Sequence, residues 1–313
     1  MTKTLAEKTA RRRRSGLHSV LKNYDLYLML IPVAVYYVVF HYVPMYGIQI
    51  AFKNYYVSQG IWGSPWAGAE HFLRFFRGYY AARLILNTIL ISVYTLALNF
   101  FAPIILALMI NEVGNRFFKR TVQTVTYAPY FLSTVVLVGM LLTILSPTNG
   151  LVNNIIKLFG NTPIAFMAEP KWFKSLYALS DVWQNTGWNS IIYLAALTSV
   201  DPQLHESAQI DGANRLQRIW HINIPGIMPT ITILFILSCG RVMSIGFEKI
   251  FLMQNGANMV ASDVISTYVY RMGIQSVDYS FSTAIGLFNS LVNFILLTLA
   301  NRIGRLTAGF SLF

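Results

Sequence analysis

The sequence predicts an all-α membrane protein that crosses the bilayer six times. Of its 313 residues, 55% are hydrophobic and 12% are charged, which is about half the charged share of a soluble domain. The mean hydropathy is +0.51. Several apolar stretches reach about 20 residues, the length that a helix needs to span hydrocarbon. These observations favour one helix bundle and leave no room for a second sizeable soluble domain.

Continuous hydrophobicity places the spans inside a membrane domain over 26–301. The six predicted spans are about 26–48, 86–110, 121–145, 178–200, 227–247 and 281–301. The segments expected on one side of the membrane are the N-terminal tail 1–25, the connections 111–120 and 201–226, and the C-terminal tail 302–313. The connections expected on the other side are 49–85, 146–177 and 248–280.

The distribution of Lys and Arg predicts the orientation. Seven of the 24 lie in the first 22 residues, including the run Arg11–Arg14, and their density is higher on the side that holds both termini. The positive-inside rule therefore predicts two cytoplasmic termini. The net charge of +12 is then explained by topology, and we expect no nucleic-acid binding. No A-x-A-type site follows the long apolar run from Leu26 to Tyr42, so we expect no signal-peptide cleavage.

Residues that could perform chemistry are scarce. The single cysteine, Cys239, excludes an intrachain disulfide. The five histidines show no metal-ligand spacing, and no G-x-x-x-x-G-K-[ST] motif occurs for binding nucleotide. We therefore expect no catalytic residue and no metal or cofactor bound by this chain.

The connection 201–226 has strong local signals. Asp201 followed by Pro202 predicts the start of a helix, and Gly212 its end. A second short helix is predicted over 214–219, with Pro225 expected to stop it before the fifth span. The apolar side of the first helix suits the groove of a partner protein. The alternative is a helix lying in the lipid headgroups.

The same connection carries a spaced motif. Glu206-Ser207-Ala208 is followed by Gly212 and then by Ile222-Asn223-Ile224-Pro225. This resembles the ATPase-docking loop of ATP-binding-cassette importer permeases, which reads Glu-Ala-Ala, three residues, Gly, nine residues, Ile-x-Leu-Pro. Ser207 and Ile224 depart from that pattern by small changes in size. The residues that the resemblance implies for ATPase coupling are Glu206, Ser207, Ala208, Asp211, Gly212, Ala213 and Pro225.

Other stretches are similar to one branch of these importers, the permeases for complex oligosaccharides and polysaccharide fragments. They are 111–120, 127–133, 150–153, 206–220, 278–286 and 309–313. The resemblance implies a six-span bundle with a maltose-permease-like core and a cytoplasmic coupling helix between spans four and five. It also implies the bacterial cytoplasmic (inner) membrane as the location. The implied partners are a second permease, two ATPase subunits that bind ATP and Mg, and an extracytoplasmic solute-binding protein.

The fourth predicted span opens with a polar and aromatic cluster. Its candidate substrate-path residues are Trp183, Gln184, Asn185, Trp188 and Asn189, to which we add Tyr130 and Arg241. Amide and indole groups suit a sugar, because they offer hydrogen bonds and flat faces. The alternative is contact with neighbouring helices or the partner permease, with Gly187 and Ser190 allowing close approach.

Four further polar or proline positions lie in predicted spans. Arg241 is expected either to pair with Glu248 or another neighbour, or to attract acidic sugars such as uronate oligomers. Asn289 and Asn293 are expected to make interhelical hydrogen bonds, and Pro129 is expected to kink the third span.

The composition leaves other transporter classes open. Cargo other than sugar remains an alternative. An ion-coupled secondary transporter would predict internal repeats and midplane charges, and a membrane enzyme would need a cluster of His, Asp, Glu or Cys. Neither pattern is evident in the sequence.

Overall fold

The computed structural model describes residues 23–307 and 309–312, and nearly all of its regular structure is helical. The first 22 residues of the predicted basic tail, which include Arg11–Arg14, lie outside the described residues. The chain divides into two compact units, Met1–Gly68 and Ala69–Phe313.

The first unit contains one long helical segment. Helix α1 (Tyr24–Tyr37) continues through a π turn (Val38–Tyr42), α2 (Val43–Met45) and a 3-10 segment (Tyr46–Phe52). The segment is 29 residues long and apolar enough to cross a membrane, so it holds the predicted first span. A short helix, α3 (Gly60–Gly63), follows.

The second unit is built from thirteen helices within the described residues. In chain order they are α4 (Glu70–Arg77), α5 (Ala81–Glu112), α6 (Arg116–Tyr127), α7 (Thr134–Ile144), α8 (Leu151–Leu158), α9 (Pro170–Thr198), α10 (Pro202–Ile210), α11 (Arg215–Arg218), α12 (Ile224–Cys239), α13 (Phe247–Met253), α14 (Met259–Ser262), α15 (Ile265–Tyr270) and α16 (Tyr279–Thr307). A 3-10 turn (Ala128–Phe131) and two π turns (Ile219–Asn223 and Arg271–Gln275) lie between them.

Four helical segments are long and apolar enough to cross a membrane, or five if one bent pair counts as a span. The four hold the predicted first, second, fifth and sixth spans: Tyr24–Phe52, Ala81–Glu112, Arg215–Cys239 and Tyr279–Thr307. The predicted fourth span falls in α9, which is 29 residues long but is not among the helices that pass on hydropathy. Its polar cluster lowers the hydropathy.

The third predicted span is not one straight or gently kinked helix. Its two helical parts, Arg116–Phe131 and Thr134–Ile144, are bent by 100°. Pro129 lies in the 3-10 turn, and Ser133 begins α7 by accepting a hydrogen bond from the Val136 backbone N–H at 3.3 Å. The Gln184 side chain donates to the carbonyl of Leu132 at 2.9 Å. This satisfies a backbone group that the break removes from the helix.

The fifth span also differs from its predicted bounds, because α12 ends at Cys239 and not near residue 247. The next residues form turns instead of continuing the helix. Asn293 of α16 accepts a hydrogen bond from the Met243 backbone N–H at 2.8 Å and donates to Ser244 Oγ at 2.8 Å. These bonds satisfy backbone and side-chain groups outside a helix. They also confirm that Asn293 hydrogen-bonds to a neighbouring segment, whereas Asn289 Oδ1 is buried and has no partner within the described part of the chain.

The core consists of three groups of buried side chains, and α5 contributes to each of them. The first contains Phe75, Leu84, Met243, Phe281 and Ile285; the second contains Ile91, Val138, Phe173, Ile250 and Met253; the third contains Ile104, Leu108, Tyr193, Leu197 and Ile227. In a membrane such contacts stabilise mainly through close packing, since lipid tails are as apolar as Leu.

Gly187 of α9 lies against the backbone of α6 at Thr126. A Cβ at this position would overlap the backbone carbonyl of Thr126, which cannot move away as a side-chain end could. The predicted role of Gly187 in close helix approach is therefore confirmed.

We expect Gly187→Ala to destabilise the protein by about 2 kcal/mol or more, because a methyl group must push two backbones apart. The matched control is Gly139→Ala in α7, where the added Cβ meets nothing within 4 Å. Thermal unfolding of both variants in one detergent measures the difference. Equal melting temperatures would contradict the close-packing role.

Candidate functional site

Two polar cavities of the second unit share part of their wall. They enclose about 340 and 350 Å³. The residues that line both are Leu96, Asn99, Ser238 and Arg241. These residues come from α5, from α12 and from the turn after it, so the cavities lie where two apolar helices meet the polar part of α9.

Each cavity also has polar residues of its own. Asn189 and Tyr193 of α9 line the first. Ser92, Thr95, Asp181 and Ser244 are among those that line the second. On α5, Ser92 Oγ, Thr95 Oγ1 and Asn99 Oδ1 are buried and have no hydrogen-bond partner among residues 23–307 and 309–312. Buried polar atoms are usually paired, so this face of α5 is unusual.

Asp181 is the centre of a hydrogen-bond network on the cavity wall. Its Oδ2 accepts from Asn99 Nδ2 at 2.6 Å, and its Oδ1 pairs with Lys249 Nζ at 3.1 Å. Lys249 also donates to the Tyr177 carbonyl at 3.2 Å and lies over the Tyr177 ring, 4.7 Å from its centroid. The Lys249 side chain is 6% exposed and that of Asp181 is 21% exposed.

The charge state of Lys249 reflects two opposing effects. Burial lowers the pKa of its ammonium group, and the neighbouring Asp181 carboxylate acts in the other direction. Removing one partner of such a pair would leave a buried charge uncompensated.

Arg241 is exposed and lines both cavities. The alternative of an ion pair with Glu248 is not borne out, since Arg241 pairs with no acidic side chain among the described residues. The turn that carries it is fixed by the two hydrogen bonds of Asn293. The Arg241 guanidinium therefore forms part of the shared wall, and hydrogen bonds hold the turn that carries it.

The predicted substrate-path cluster is split between several environments. Of its α9 members, only Asn189 lines either cavity. Gln184 bonds the Leu132 carbonyl, and Asn185 bonds the Asp181 carbonyl at 3.0 Å. Trp183 lines a separate apolar cavity of about 230 Å³. A helix turns about 100° per residue, so consecutive side chains cannot share one face.

Trp188 and Tyr130 form an aromatic stack. Their rings are 4.4 Å apart with 3° between the planes, and Phe131 meets Trp188 edge-on at 5.8 Å. The stack joins α9 to the 3-10 turn after α6. These contacts correspond to the packing alternative for Trp188 and Tyr130, which lie outside the two cavities.

Sequence reasoning missed Asn99 and Lys249. A signal for Asn99 existed, because Ser92, Thr95 and Asn99 are spaced by three and four residues and so share one face of the second span. No comparable signal existed for Lys249, which lies in a connection expected outside the membrane.

The predicted two-helix segment is present, with well-defined ends. The Asp201 side chain caps α10 by accepting from the Gln203 N–H at 2.9 Å. Gly212 adopts φ +79°, and the N–H groups of Gly212 and Ala213 donate to the carbonyls of Gln209 and Ala208. This is the hydrogen-bond pattern of a Schellman motif, in which glycine is favoured.

Most of the predicted coupling residues are accessible. Glu206, Ser207, Asp211 and Gly212 are exposed, whereas Ala208 and Ala213 are half-buried.

The expected role of Pro225 as a helix stop is wrong. Asn214 caps α11 in a capping box with Gln217, and the helix then runs through the π turn into α12. Pro225 lies in the first turn of α12, where its missing N–H costs little. Arg215–Cys239 is consequently one continuous segment of 25 residues.

Comparison with known proteins identifies the chain. Residues 99–308 match the family "Binding-protein-dependent transport system inner membrane component". The chain is 42% identical to the polygalacturonan/rhamnogalacturonan transport system permease protein YteP of Bacillus subtilis (strain 168), covering 95% of this chain and 92% of that protein. It is 40% identical to Protein LplB of the same organism, covering 95% and 93%.

A solved structure is similar over almost the whole chain. It is the crystal structure of a bacterial alginate ABC transporter in complex with an alginate pentasaccharide-bound periplasmic protein. The TM-score is 0.87 at 39% identity, covering 94% of this chain and 99% of the matched one. The chain therefore belongs to the family of binding-protein-dependent transport system inner membrane components, as a non-catalytic, multi-pass permease subunit of an ABC importer.

Proposed function

We propose that this permease forms half of the path by which an ATP-driven importer moves acidic oligosaccharides or polysaccharide fragments. The observation that carries the proposal is Arg241, a cation without an ion-pair partner among the described residues, on the wall of both polar cavities. The relatives support it, because one is named for polygalacturonan and rhamnogalacturonan and another was solved with an alginate pentasaccharide. Both names refer to uronate-containing polymers.

Within the path, Asn99, Asn189 and Ser238 offer hydrogen-bonding groups for sugar hydroxyls, and Arg241 offers a carboxylate partner. A guanidinium fork binds a carboxylate through two parallel hydrogen bonds. The mixed polar and aliphatic lining suits a ring with polar edges and apolar faces.

We further propose six spans with both termini cytoplasmic in the bacterial inner membrane. The bent α6–α7 pair would be the third span and α9 the fourth. A 29-residue helix is roughly 43 Å long, enough to cross a bilayer. Because its polar side chains face the cavity and neighbouring helices, α9 need not expose them to lipid.

The segment 201–226 is proposed to dock on one of two ATPase subunits. The other partners would be a second permease and an extracytoplasmic solute-binding protein, with ATP and Mg bound on the ATPases. Helix α10 presents Leu204 and Ile210, which are 52% and 86% exposed. Since α11 continues into α12 without a break, a displacement of α10 would be transmitted to a spanning helix.

We expect Gly212→Val to lower ATP-dependent uptake by about tenfold or more, because a β-branched residue is strained at positive φ and would disturb the turn after α10. Gly114→Val is the matched control, since that glycine lacks a positive φ and its Cβ would meet nothing within 4 Å. Uptake and the amount of co-purifying ATPase are the measurements. Normal uptake by the Gly212 variant would count against the docking assignment.

We expect Arg241→Gln to lower uptake of an acidic oligosaccharide by roughly tenfold or more, because a hydrogen bond to a charged group contributes about 1.5–3 kcal/mol. Oligogalacturonate and oligoalginate, each compared with its methyl ester, are suitable probes. Uptake of the methyl esters should fall much less, because they carry no carboxylate.

Arg77→Gln is the control for that experiment, because Arg77 is exposed on α4 and lines neither cavity. An equal loss for acid and ester would argue that Arg241 has a structural role only.

A further inference from the structure

The cavity wall contains a carboxylate that an acidic cargo should avoid. Asp181 is the only acidic residue among those that line the two cavities. Like charges placed close together in a low-dielectric site repel strongly. A path for uronates with an unpaired Asp181 would therefore oppose its own cargo.

An unpaired Asp181 would also compete for Arg241. Both residues line the second cavity, yet no ion pair joins them in the part of the chain that the structure describes. If Asp181 lost its partners, Arg241 would be the cation that lines the same cavity. The cation would then be neutralised by the protein instead of by the cargo.

Lys249 is the cation that pairs with Asp181, and it does so from outside the cavity. It lines neither cavity and is buried in α13, from which its ammonium group reaches Asp181 Oδ1 at 3.1 Å. Asn99 occupies the other oxygen at 2.6 Å. Both carboxylate oxygens are thus engaged.

Apolar contacts also hold α13 in place. Ile250 and Met253 of α13 are almost fully buried against Phe173, Val138 and Ile91. Replacing a buried ion pair with apolar residues is often neutral for stability. Packing therefore accounts for the position of α13, and the ion pair calls for another explanation.

We propose that Lys249 is a specificity-determining residue that neutralises Asp181 and so leaves Arg241 as the net charge of the path, selecting carboxylate-bearing cargo. The inference rests on the proposed function. Lys249 acts through Asp181 and does not touch the cargo. It is thus a positioning residue for the electrostatics of the path.

The test uses the full transporter, expressed with its natural partners. The measured quantity is the acid-to-ester ratio, which is the uptake of each acidic probe divided by the uptake of its methyl ester. Lys249→Met keeps the side-chain length but leaves Asp181 charged, so the ratio should fall by at least about tenfold. The double variant Asp181→Asn with Lys249→Met removes both charges. Its ratio should return to within about threefold of the wild type.

Two further variants separate charge from folding. Asp181→Asn alone should keep or raise the ratio, because it removes only the negative charge. Lys171→Met is the surface control, since Lys171 is 70% exposed and pairs with Glu169; its ratio should not change. If Lys249→Met fails to assemble, Asp181→Asn still tests the inference, because a lower acid-to-ester ratio in that variant would overturn it.

Each outcome has one meaning. A wild-type transporter that imports neither acidic probe overturns the proposed function and this inference with it. If the wild type imports an acidic probe, only the inference fails when Lys249→Met lowers acid and ester equally, or when the double variant keeps a low ratio.

Discussion

The contact between α5 and α9 is the interaction on which the rest of the second unit depends. Helix α9 carries more polar groups than a lipid-facing helix tolerates, and α5 provides the surface that receives part of them. The hydrogen bond between Asn99 and Asp181, at 2.6 Å, joins the two helices at the cavity. Close to it, Lys249 pairs with Asp181 from behind the wall, and the Asn293-anchored turn forms part of the wall. The polar cavities exist because these groups converge there.

The local features of this protein were predictable from sequence, and the long-range ones were not. Asp201 and Gly212 act through hydrogen bonds to residues close in sequence, and Pro202 acts through its fixed backbone angle, so spacing alone located the two-helix segment. The environment of each side chain in Trp183–Asn189 depends on which helices surround α9. Amide and indole residues are equally suited to a sugar and to a helix contact, and the sequence offered no way to divide them.

The errors in the span boundaries have a common cause. Hydropathy reports how apolar a stretch is but not whether its backbone remains helical. At Leu132 and at Met243 the backbone groups are satisfied by side chains from other elements, Gln184 and Asn293. The helices could therefore end inside stretches that remain apolar. Pro225 was misjudged for a related reason, since proline is tolerated in the first turn of a helix.

The bend between α6 and α7 constrains the order of biosynthesis. Helix α7 has 11 residues and is roughly 16 Å long, about half the thickness of the hydrocarbon core. The carbonyl of Leu132 obtains its Gln184 partner only after some fifty more residues have been made. In lipid an unpaired backbone group is costly. This part of the chain can therefore reach its final conformation only after α9 has been made, so the structure here forms by cooperative groups of helices and not one helix at a time.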